Sequence, residues 1–377
     1  MGRRHLLACI SIALVVGTFV PGPPAVGRPA VKPARFHAQS ESWISPDDAR
    51  MLGWSPCDRS ACTTVVATTN AGTTWRRLAM LTAPLTIEHA AGVTQIRFAD
   101  DEHGWAFEPA LWATGDGGTT WMRQAIPGGG HLVLALAADP EAAYAVVSPC
   151  RLNRLCDARL SLWRTTPGAA AWKQVDLTLP RFAGFNEIVL SLHGDVGYLA
   201  IPRPTATEPD VFDVTTDGHH WEPRPDPCTF ANDEFLSAIA PITDQDVALL
   251  CVGDPGFGYA TKRVVRSDDT AQTFTPAGGM ANLGIISGLA TTPDGSTLVV
   301  PSYSIGSWIY RSTDDRTWTA PVDLGDGGMG WNDMTFTTDR VGYVVHGPSS
   351  SPWLPGELWR TTDGGATWGS VVIVVRR

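Results

Sequence analysis

The chain has 377 residues, including 38 glycines, 29 prolines and 15 tryptophans, and only 18% of its residues are charged. Such a composition is typical of many short strands joined by tight turns and argues against a long helical bundle. The formal net charge of −10 provides no global positive field for phosphate backbones or anionic lipid, so we expect no nucleic-acid partner.

The first residues have the pattern of an export signal. Basic residues at 3–5 precede an apolar run over 6–20, and Ala-Val-Gly at 25–27 fits a small-x-small cleavage site. The apolar run is shorter than a membrane span needs, and no other segment is apolar enough to cross a bilayer. We predict a signal peptide over 1–27 and a protein that is secreted or lies at the exterior of the cell envelope, with no membrane span after signal removal. A retained anchor is the alternative, and the paired arginines also allow a twin-arginine export route.

Signal removal takes Cys9 with it and leaves six cysteines, an even number that indicates disulfides in an exported protein. Close spacing favours the pairs Cys57–Cys62 and Cys150–Cys156, which leaves Cys228 to pair with Cys251. A zinc site is the competing interpretation, and it is weaker because no Cys-x-x-Cys spacing occurs and no histidine lies at a matching interval. We therefore expect no metal and no cofactor.

One sequence pattern recurs seven times and organises the rest of the chain. Its best copies are Thr114 to Trp121 and Thr361 to Trp368, which share a Thr, an Asp, two glycines and a final Trp. We call the seven copies the repeat turns; they cover 68–75, 114–121, 165–172, 215–221, 267–274, 312–318 and 361–368. Their final aromatic residues are Trp75, Trp121, Trp172, Trp221, Phe274, Trp318 and Trp368, at intervals of 44 to 53 residues.

Each repeat turn follows an apolar strand, an Asp-containing turn and a second apolar strand, seen best in 96–107, 188–201, 286–300 and 334–345. Each unit therefore predicts a four-stranded meander of the size of a propeller blade. The turn carboxylates, at Asp116, Asp217, Asp269, Asp314 and Asp363, are expected to accept backbone N–H groups of their own turns, and the aromatic rings to pack between sheets. A single blade cannot bury both faces, so we predict an all-β, seven-bladed propeller over 41–377, after a lead-in over 28–40, and expect a monomer.

The segment Leu358 to Trp368, which reads Leu-Trp-Arg followed by Thr-Thr-Asp-Gly-Gly-Ala-Thr-Trp, resembles the Asp-box (BNR) repeat of sialidase-like propellers. Gly104-Trp105-Ala106 is similar to repeats in the propellers of photosystem II assembly factors. The resemblance implies the propeller fold and repeat turns that lie away from the ligand face. It does not choose a function, because hydrolases, lectin-like modules and assembly factors all carry such repeats.

The irregular loops, which join the second strand to the third and one blade to the next, are expected at the opposite mouth of the ring. Arginine and aromatic side chains are common anchors of binding surfaces, and blade packing is the competing role for each tryptophan. The candidate ligand contacts are Arg151, Arg154, Arg203, Asp254, Tyr259, Tyr303, Trp308, Trp331, Asp333 and Trp353. Arginines at 164, 266, 311 and 360, each just before a repeat turn, are expected to be structural.

A sialidase would resemble its relatives in an Arg-Ile-Pro element, three substrate-binding arginines, a Tyr–Glu nucleophile and an Asp acid/base. The most similar segment of this chain is Ala200-Ile201-Pro202, which has an alanine in place of the arginine. Another glycosidase would need two neighbouring carboxylates, for which the candidates are Glu187, Glu222, Glu234, Asp254 and Asp333. We therefore predict a non-catalytic binding or scaffold module for a glycan or an envelope protein. A sialidase-like glycoside hydrolase of exo-sialidase type and an assembly factor for an envelope complex are the alternatives.

Overall fold

The computed structural model describes residues 34–57, 60–154, 156, 158–169, 171–181, 188–202, 210–228, 234–253, 255–319, 322–323, 330–347 and 356–375. The predicted signal peptide lies outside these residues. In the described part of the chain, no helix is long and apolar enough to cross a membrane. One short 3-10 helix, Pro127–Gly129, is the helical element of this part.

Seven antiparallel sheets of four strands follow one another along the chain and form a ring, which confirms the predicted seven-bladed all-β propeller. Blades 1 and 2 contain β2 (His37–Trp43), β3 (Ala49–Cys57), β4 (Ser60–Thr68) and β5 (Arg76–Met80), then β6 (Gln95–Phe98), β7 (Gly104–Phe107), β8 (Leu111–Thr114) and β9 (Met122–Arg123). Blades 3 and 4 contain β10 (Leu132–Ala138), β11 (Ala143–Ser148), β12 (Ser161–Thr165) and β13 (Lys173–Gln174), then β14 (Val189–His193), β15 (Val196–Ile201), β16 (Val211–Thr215) and β17 (Trp221–Pro223).

Blades 5 to 7 continue the same order. The first strand of blade 6 is broken into two pieces, β22 (Ile286–Ser287) and β23 (Ala290–Thr291), which both pair with β24 (Leu298–Tyr303). Blade 5 contains β18 (Phe235–Pro241), β19 (Val247–Val252), β20 (Lys262–Ser267) and β21 (Thr275–Gly279). Blade 6 contains β22 (Ile286–Ser287), β23 (Ala290–Thr291), β24 (Leu298–Tyr303), β25 (Ser307–Ser312) and β26 (Val322–Asp323). Blade 7 contains β27 (Trp331–Phe336), β28 (Gly342–His346), β29 (Glu357–Thr361) and β30 (Gly369–Val371), and β1 (Ala34–Arg35) pairs with β31 (Val374–Val375).

The core consists of seven apolar clusters, one between each pair of neighbouring blades. The second strand of a blade supplies two of them, because its alternate side chains point to opposite faces. In β19, Leu249 packs toward blade 4 and Leu250 toward blade 6, and both are fully buried. This arrangement explains why the second strands are nearly continuous apolar runs.

The final aromatic residue of each repeat turn packs into a different inter-blade cluster. Trp121 illustrates the geometry: its ring lies edge-on to Phe98 at 6.0 Å, and its Nε1 donates to the carbonyl of Gly118 at 3.0 Å. Six of the seven rings are half-buried, and Trp221 is 9% exposed. The rings thus close the outer edge of each interface.

A second set of contacts joins six of the seven repeat turns to the preceding blade. The backbone carbonyl directly after the turn Asp, or after Asn70 in blade 1, accepts a hydrogen bond from a Tyr or Arg of the blade before it, and in blade 6 the Asp315 carboxylate forms an ion pair with Arg266 instead. These contacts are Arg50 to Gly117 (2.9 Å), Tyr144 to Gly218, Arg224 to Thr270 (3.3 Å), Arg266 to the Asp315 carboxylate (2.9 Å), Arg311 to Gly364 (2.6 Å) and Tyr343 to Ala71 (2.8 Å). The guanidinium groups of Arg164 and Arg360 lie over the rings of Tyr144 and Tyr343. Of the four arginines expected to be structural, Arg266 and Arg311 thus contact the next repeat turn directly, whereas Arg164 and Arg360 pack on the tyrosines of their own blades that do so.

The ring is closed between blades 7 and 1 without exchange of a strand, because each blade is one continuous segment. The β1–β31 pair, an ion pair of Arg35 with Glu357 and a stack of Trp43 on Tyr343 at 3.9 Å join the two ends. The cluster around Phe36 and Met51 fills the same interface. Because β2 begins at His37, the first blade includes residues of the segment expected as a lead-in.

The three predicted disulfides are confirmed: Cys57–Cys62, Cys150–Cys156 and Cys228–Cys251. The first two close short loops between a second and a third strand, and the third joins a blade connection to the end of β19. Disulfides persist in oxidising compartments, as expected for an exported protein.

Candidate functional site

The first strands of the blades contact one another around the central axis and contain four of the six register shifts found in the described strand pairs. Four of them contain a bulge, at Gln39, Leu134, Ser237 and Asp333. A bulge leaves one residue outside the ladder and re-aims its side chain. At Asp333 the backbone φ is +20°, and it is the one residue of these four whose φ is positive.

Asp333 joins three blades at this central mouth. One carboxylate oxygen accepts from Nη2 of Arg97 at 2.7 Å. The other accepts from Oγ of Ser40 at 2.5 Å and from the backbone N–H of Glu41 at 2.9 Å. Both oxygens of Asp333 are thus engaged by neighbouring blades, and its side chain is 12% exposed.

Two further carboxyls lie close to this cluster. Burial and the neighbouring Asp333 raise the pKa of Glu41. Its Oε2 accepts a hydrogen bond from Trp43 Nε1 at 3.1 Å. Its Oε1 is buried and has no hydrogen-bond partner among the described residues. Burial also raises the pKa of Glu108, which accepts from Thr94 Oγ1 at 2.5 Å. The mouth therefore holds two carboxyls whose ionisation is disfavoured by burial, beside Asp333, which is paired with an arginine.

A cleft of about 420 Å³ opens beside the cluster. Three of the predicted ligand contacts, Tyr303, Trp331 and Asp333, line it together with Glu108 and Ile286. Trp331 is 9% exposed and donates through Nε1 to the carbonyl of Ser302 at 3.2 Å, so it forms part of the wall. No arginine is found among the described residues of the lining.

An exposed apolar patch continues from this cleft to the rim above blades 5 and 6; we call it the rim patch, formed by Phe257, Tyr259, Ile286 and Ile305. Phe257 is fully exposed at the tip of a turn, and Ile305 is 72% exposed. The turn is tied to the cleft because Ser304 Oγ donates to the carbonyl of Gly258 at 2.9 Å and Tyr259 bridges to Gly284. Tyr259 is one of the predicted ligand contacts, whereas the other three residues of the rim patch were not predicted from the sequence.

The other predicted ligand contacts lie elsewhere. Arg151 and Arg154 line a separate cleft between blades 2 and 3. Trp308 is 7% exposed and packs in the core between blades 5 and 6, which corresponds to the blade-packing alternative. Arg203, Asp254 and Trp353 lie outside the described residues.

The carboxylates considered for glycosidase chemistry are dispersed. Glu222 is exposed and pairs with Arg224 at 3.1 Å, whereas Glu234 is buried and pairs with Arg263 at 2.6 Å. Glu187 and Asp254 lie outside the described residues. Over the described ranges, no group of three or more His, Cys, Asp or Glu side chains could hold a metal ion.

No protein-family profile and no curated protein sequence matches this chain. Among solved structures, it is similar to prolyl endopeptidases (TM-score 0.59, 11% identity, 90% of this chain and 50% of that chain). It is also similar to an ancestral GH74 enzyme (TM-score 0.53, 13% identity, 92% and 47%) and to YCF48 bound to D1 peptide (TM-score 0.49, 17% identity, 77% and 82%). The chain spans about half the length of the endopeptidase and of the GH74 enzyme. At these identities the similarity shows the β-propeller fold alone.

Proposed function

We propose that this chain is an exported propeller that binds a protein ligand at its central mouth and catalyses no reaction. The main support for the proposal is that the rim patch is continuous with the central cleft, because Ile286 belongs to both. Four exposed apolar side chains at one mouth are unusual on a soluble surface and mark interaction sites. Tyr259 of the rim patch and Tyr303 of the cleft have amphipathic rings of the kind enriched at binding surfaces.

The charged groups of the mouth support binding over catalysis. Asp333 is saturated by Arg97, Ser40 and the Glu41 backbone, so it contributes to joining the blades. The described lining also offers no cluster of arginines for a substrate carboxylate. A ligand that buries apolar side chains against the rim patch needs neither group.

The export part of the proposal rests on the N-terminal segment and on the three disulfides. We also propose that the repeat turns belong to the Asp-box type. In support, Asp116 accepts the backbone N–H of Thr120 at 2.8 Å, and Asp363 accepts that of Thr367 at 2.9 Å, so both best copies close their turns in the same way.

The test is selection of random displayed peptides on the oxidised chain of residues 28–377. We expect enrichment of peptides rich in apolar residues, with affinity weakened about tenfold or more by Ile286→Asp, which places a charge in the rim patch. Met122→Asp is the matched control, because Met122 is 74% exposed beside a repeat turn. Peptides that bind Ile286→Asp as tightly as the parent, or selection of none, would contradict the proposal. Binding in a parallel glycan array, with no peptide selected, would favour a glycan ligand.

One observation favours a second candidate, a glycoside hydrolase. Glu108 and Asp333 line the same cleft, and the raised pKa of Glu108 suits a general acid. Fluorogenic glycosides, including a sialoside, test this function with the same protein. Turnover that is abolished by Glu108→Gln while the fold is retained would establish the hydrolase and overturn the non-catalytic proposal.

A further inference from the structure

A second cleft, of about 810 Å³, lies between blades 2 and 3 and is separate from the central mouth. Its walls are β9 with the segment that follows it, which includes the 3-10 helix Pro127–Gly129, and the loop after β11. We call it the arginine cleft, after Arg123, Arg151 and Arg154. Its volume falls in the range of small-molecule sites.

The arginine cleft is positively charged in a protein with a net charge of −10. Its described lining contains the three arginines and His131, all exposed, and no acidic residue. Within the described part of the chain, none of the three arginines forms an ion pair. Arg123 makes one long contact, from Nη2 to the carbonyl of Ala90 at 3.5 Å. By contrast, Arg97, Arg263 and Arg266 are each paired with a carboxylate.

Apolar residues form the floor beneath these cations. Ile126 and Leu152 are half-buried and form its accessible surface, and Leu111 and Ala110, at most 1% exposed, lie beneath them. Ala90 and Ala125 complete the apolar part of the lining. A cationic rim above an apolar floor matches a ligand with an anionic head and an apolar body.

The loop that carries two of the arginines is held in place. The Cys150–Cys156 disulfide closes it, and the backbone N–H of Arg154 donates to the carbonyl of Arg151 at 3.0 Å. Asn153, at the corner between them, has a left-handed φ of +58°. A loop fixed before binding loses less conformational freedom when its side chains engage a ligand.

We infer that the arginine cleft is a second binding site, for a small amphiphilic anion that carries a carboxylate or phosphate group on an apolar body. Guanidinium groups bind both anions through paired N–H donors. The apolar body lies on the floor formed by Ile126 and Leu152. This site does not depend on the function proposed for the central mouth.

Calorimetric titration of the oxidised chain of residues 28–377 with octanoate and octyl phosphate tests the inference, with octanol and octyltrimethylammonium as neutral and cationic controls. We expect at least one anion to bind about tenfold or more tightly than octanol. The double substitution Arg151→Ala/Arg154→Ala removes most of that difference. Arg76→Ala/Arg316→Ala removes the same charge from exposed arginines outside the cleft and leaves the affinity within about twofold, since distant exposed charges are screened.

The two anions separate the possible sources of the ligand. Tighter binding of octanoate indicates a carboxylate, and tighter binding of octyl phosphate a phosphate ester; either result supports the inference. Ile126→Ser is expected to weaken binding of the octyl anion that binds more tightly and to leave its dependence on salt unchanged. Equal affinity for octanol and the anions, equal loss in both double variants, or no binding of either anion would overturn the inference.

Discussion

Carboxylates on the repeat-turn face and carboxylates at the central mouth differ in exposure, in hydrogen-bond partners and in the direction of their pKa shifts. Asp314 is exposed and accepts the backbone N–H groups of Thr317 and Arg316, which lower its pKa to about 2. Glu108 is half-buried, and burial raises its pKa. The hydrogen bonds of the turn thus stabilise the anionic form of Asp314, whereas burial disfavours the anionic form of Glu108.

The difference lies in how far along the chain each carboxylate finds its partners. Asp314 bonds residues two and three positions away, so its hydrogen bonds close one turn without a contribution from another blade. Asp333 bonds Arg97 and Ser40, which are 236 and 293 residues away. The turn carboxylate therefore has a local role, whereas Asp333 joins side chains of different blades at the mouth.

The largest expected effect is on the repeat-turn face. Trp121→Ala removes a half-buried ring from the interface of blades 1 and 2 and is expected to lower the free energy of unfolding by about 3 kcal/mol. Chemical denaturation followed by fluorescence measures it. Met122→Ala, next in sequence and 74% exposed, is the control and should change stability by less than about 0.5 kcal/mol. Similar values for the two variants would show that the ring does not contribute to the interface.

At the mouth, Asp333→Ala leaves Arg97, Ser40 and the Glu41 N–H without their shared acceptor. We expect a loss of about 2 kcal/mol, because the backbone N–H of Glu41 becomes unsatisfied while Arg97, 30% exposed, can turn to solvent. The same denaturation measurement applies, with Asp176→Ala, at an exposed aspartate of blade 3, as a control for loss of an Asp. A loss smaller than about 0.5 kcal/mol would mean that this carboxylate does not join the blades.

The turn carboxylates allow a sharper comparison of charge and hydrogen bonding. Asp116→Ala removes the acceptor for Thr120 and is expected to cost about 1 kcal/mol, by analogy with the loss of a helix cap. Asp116→Asn should be nearly neutral, because Asn70 already fills this role in blade 1 and accepts from the Thr74 N–H at 2.9 Å. Equal destabilisation by the two substitutions would assign the effect to charge instead of the hydrogen bond.

The smallest expected effect depends on pH. Burial raises the pKa of Asp226 to about 6, above its usual 3.8. The folded state therefore holds this proton more tightly, and the wild-type chain loses stability as pH rises between these values and the carboxyl ionises. Asp226→Asn keeps an acceptor for the Cys228 N–H and avoids that loss. Its melting temperature relative to wild type should rise by about 1 °C between about pH 4 and pH 7.5, because solvent screening at this half-buried carboxyl reduces the effect of the shift. A difference that is constant across this range would contradict the shifted pKa.

The fold could be predicted from sequence because its determinants are local and repeated. A turn-forming Asp or Gly in the repeat turn and an apolar second strand recur in each blade, and the close spacing of Cys57 with Cys62 and of Cys150 with Cys156 indicated their pairing. The break in the first strand of blade 6 was not visible, since Gly288 and Leu289 continue an apolar segment.

The candidate site was predicted only in part. Tyr303, Trp331 and Asp333 follow from their irregular positions, and they do line one cleft. Ser40, Arg97 and Glu108 were missed because each lies in an ordinary strand or loop sequence and gains its role from residues on other blades. A search for charged residues in the first strands, where a propeller has its axis, would have found Glu41 and Arg97. No comparable signal marks the rim patch.

The comparison of the two faces is tested most directly by hydrogen exchange of the oxidised chain with and without a peptide selected on it. Binding at the mouth predicts slower exchange of amides in 285–289 and 331–335, and no change in the repeat turns at 116–120 and 363–367. Protection confined to the repeat turns would place the ligand on the opposite face and contradict the assignment of the central mouth.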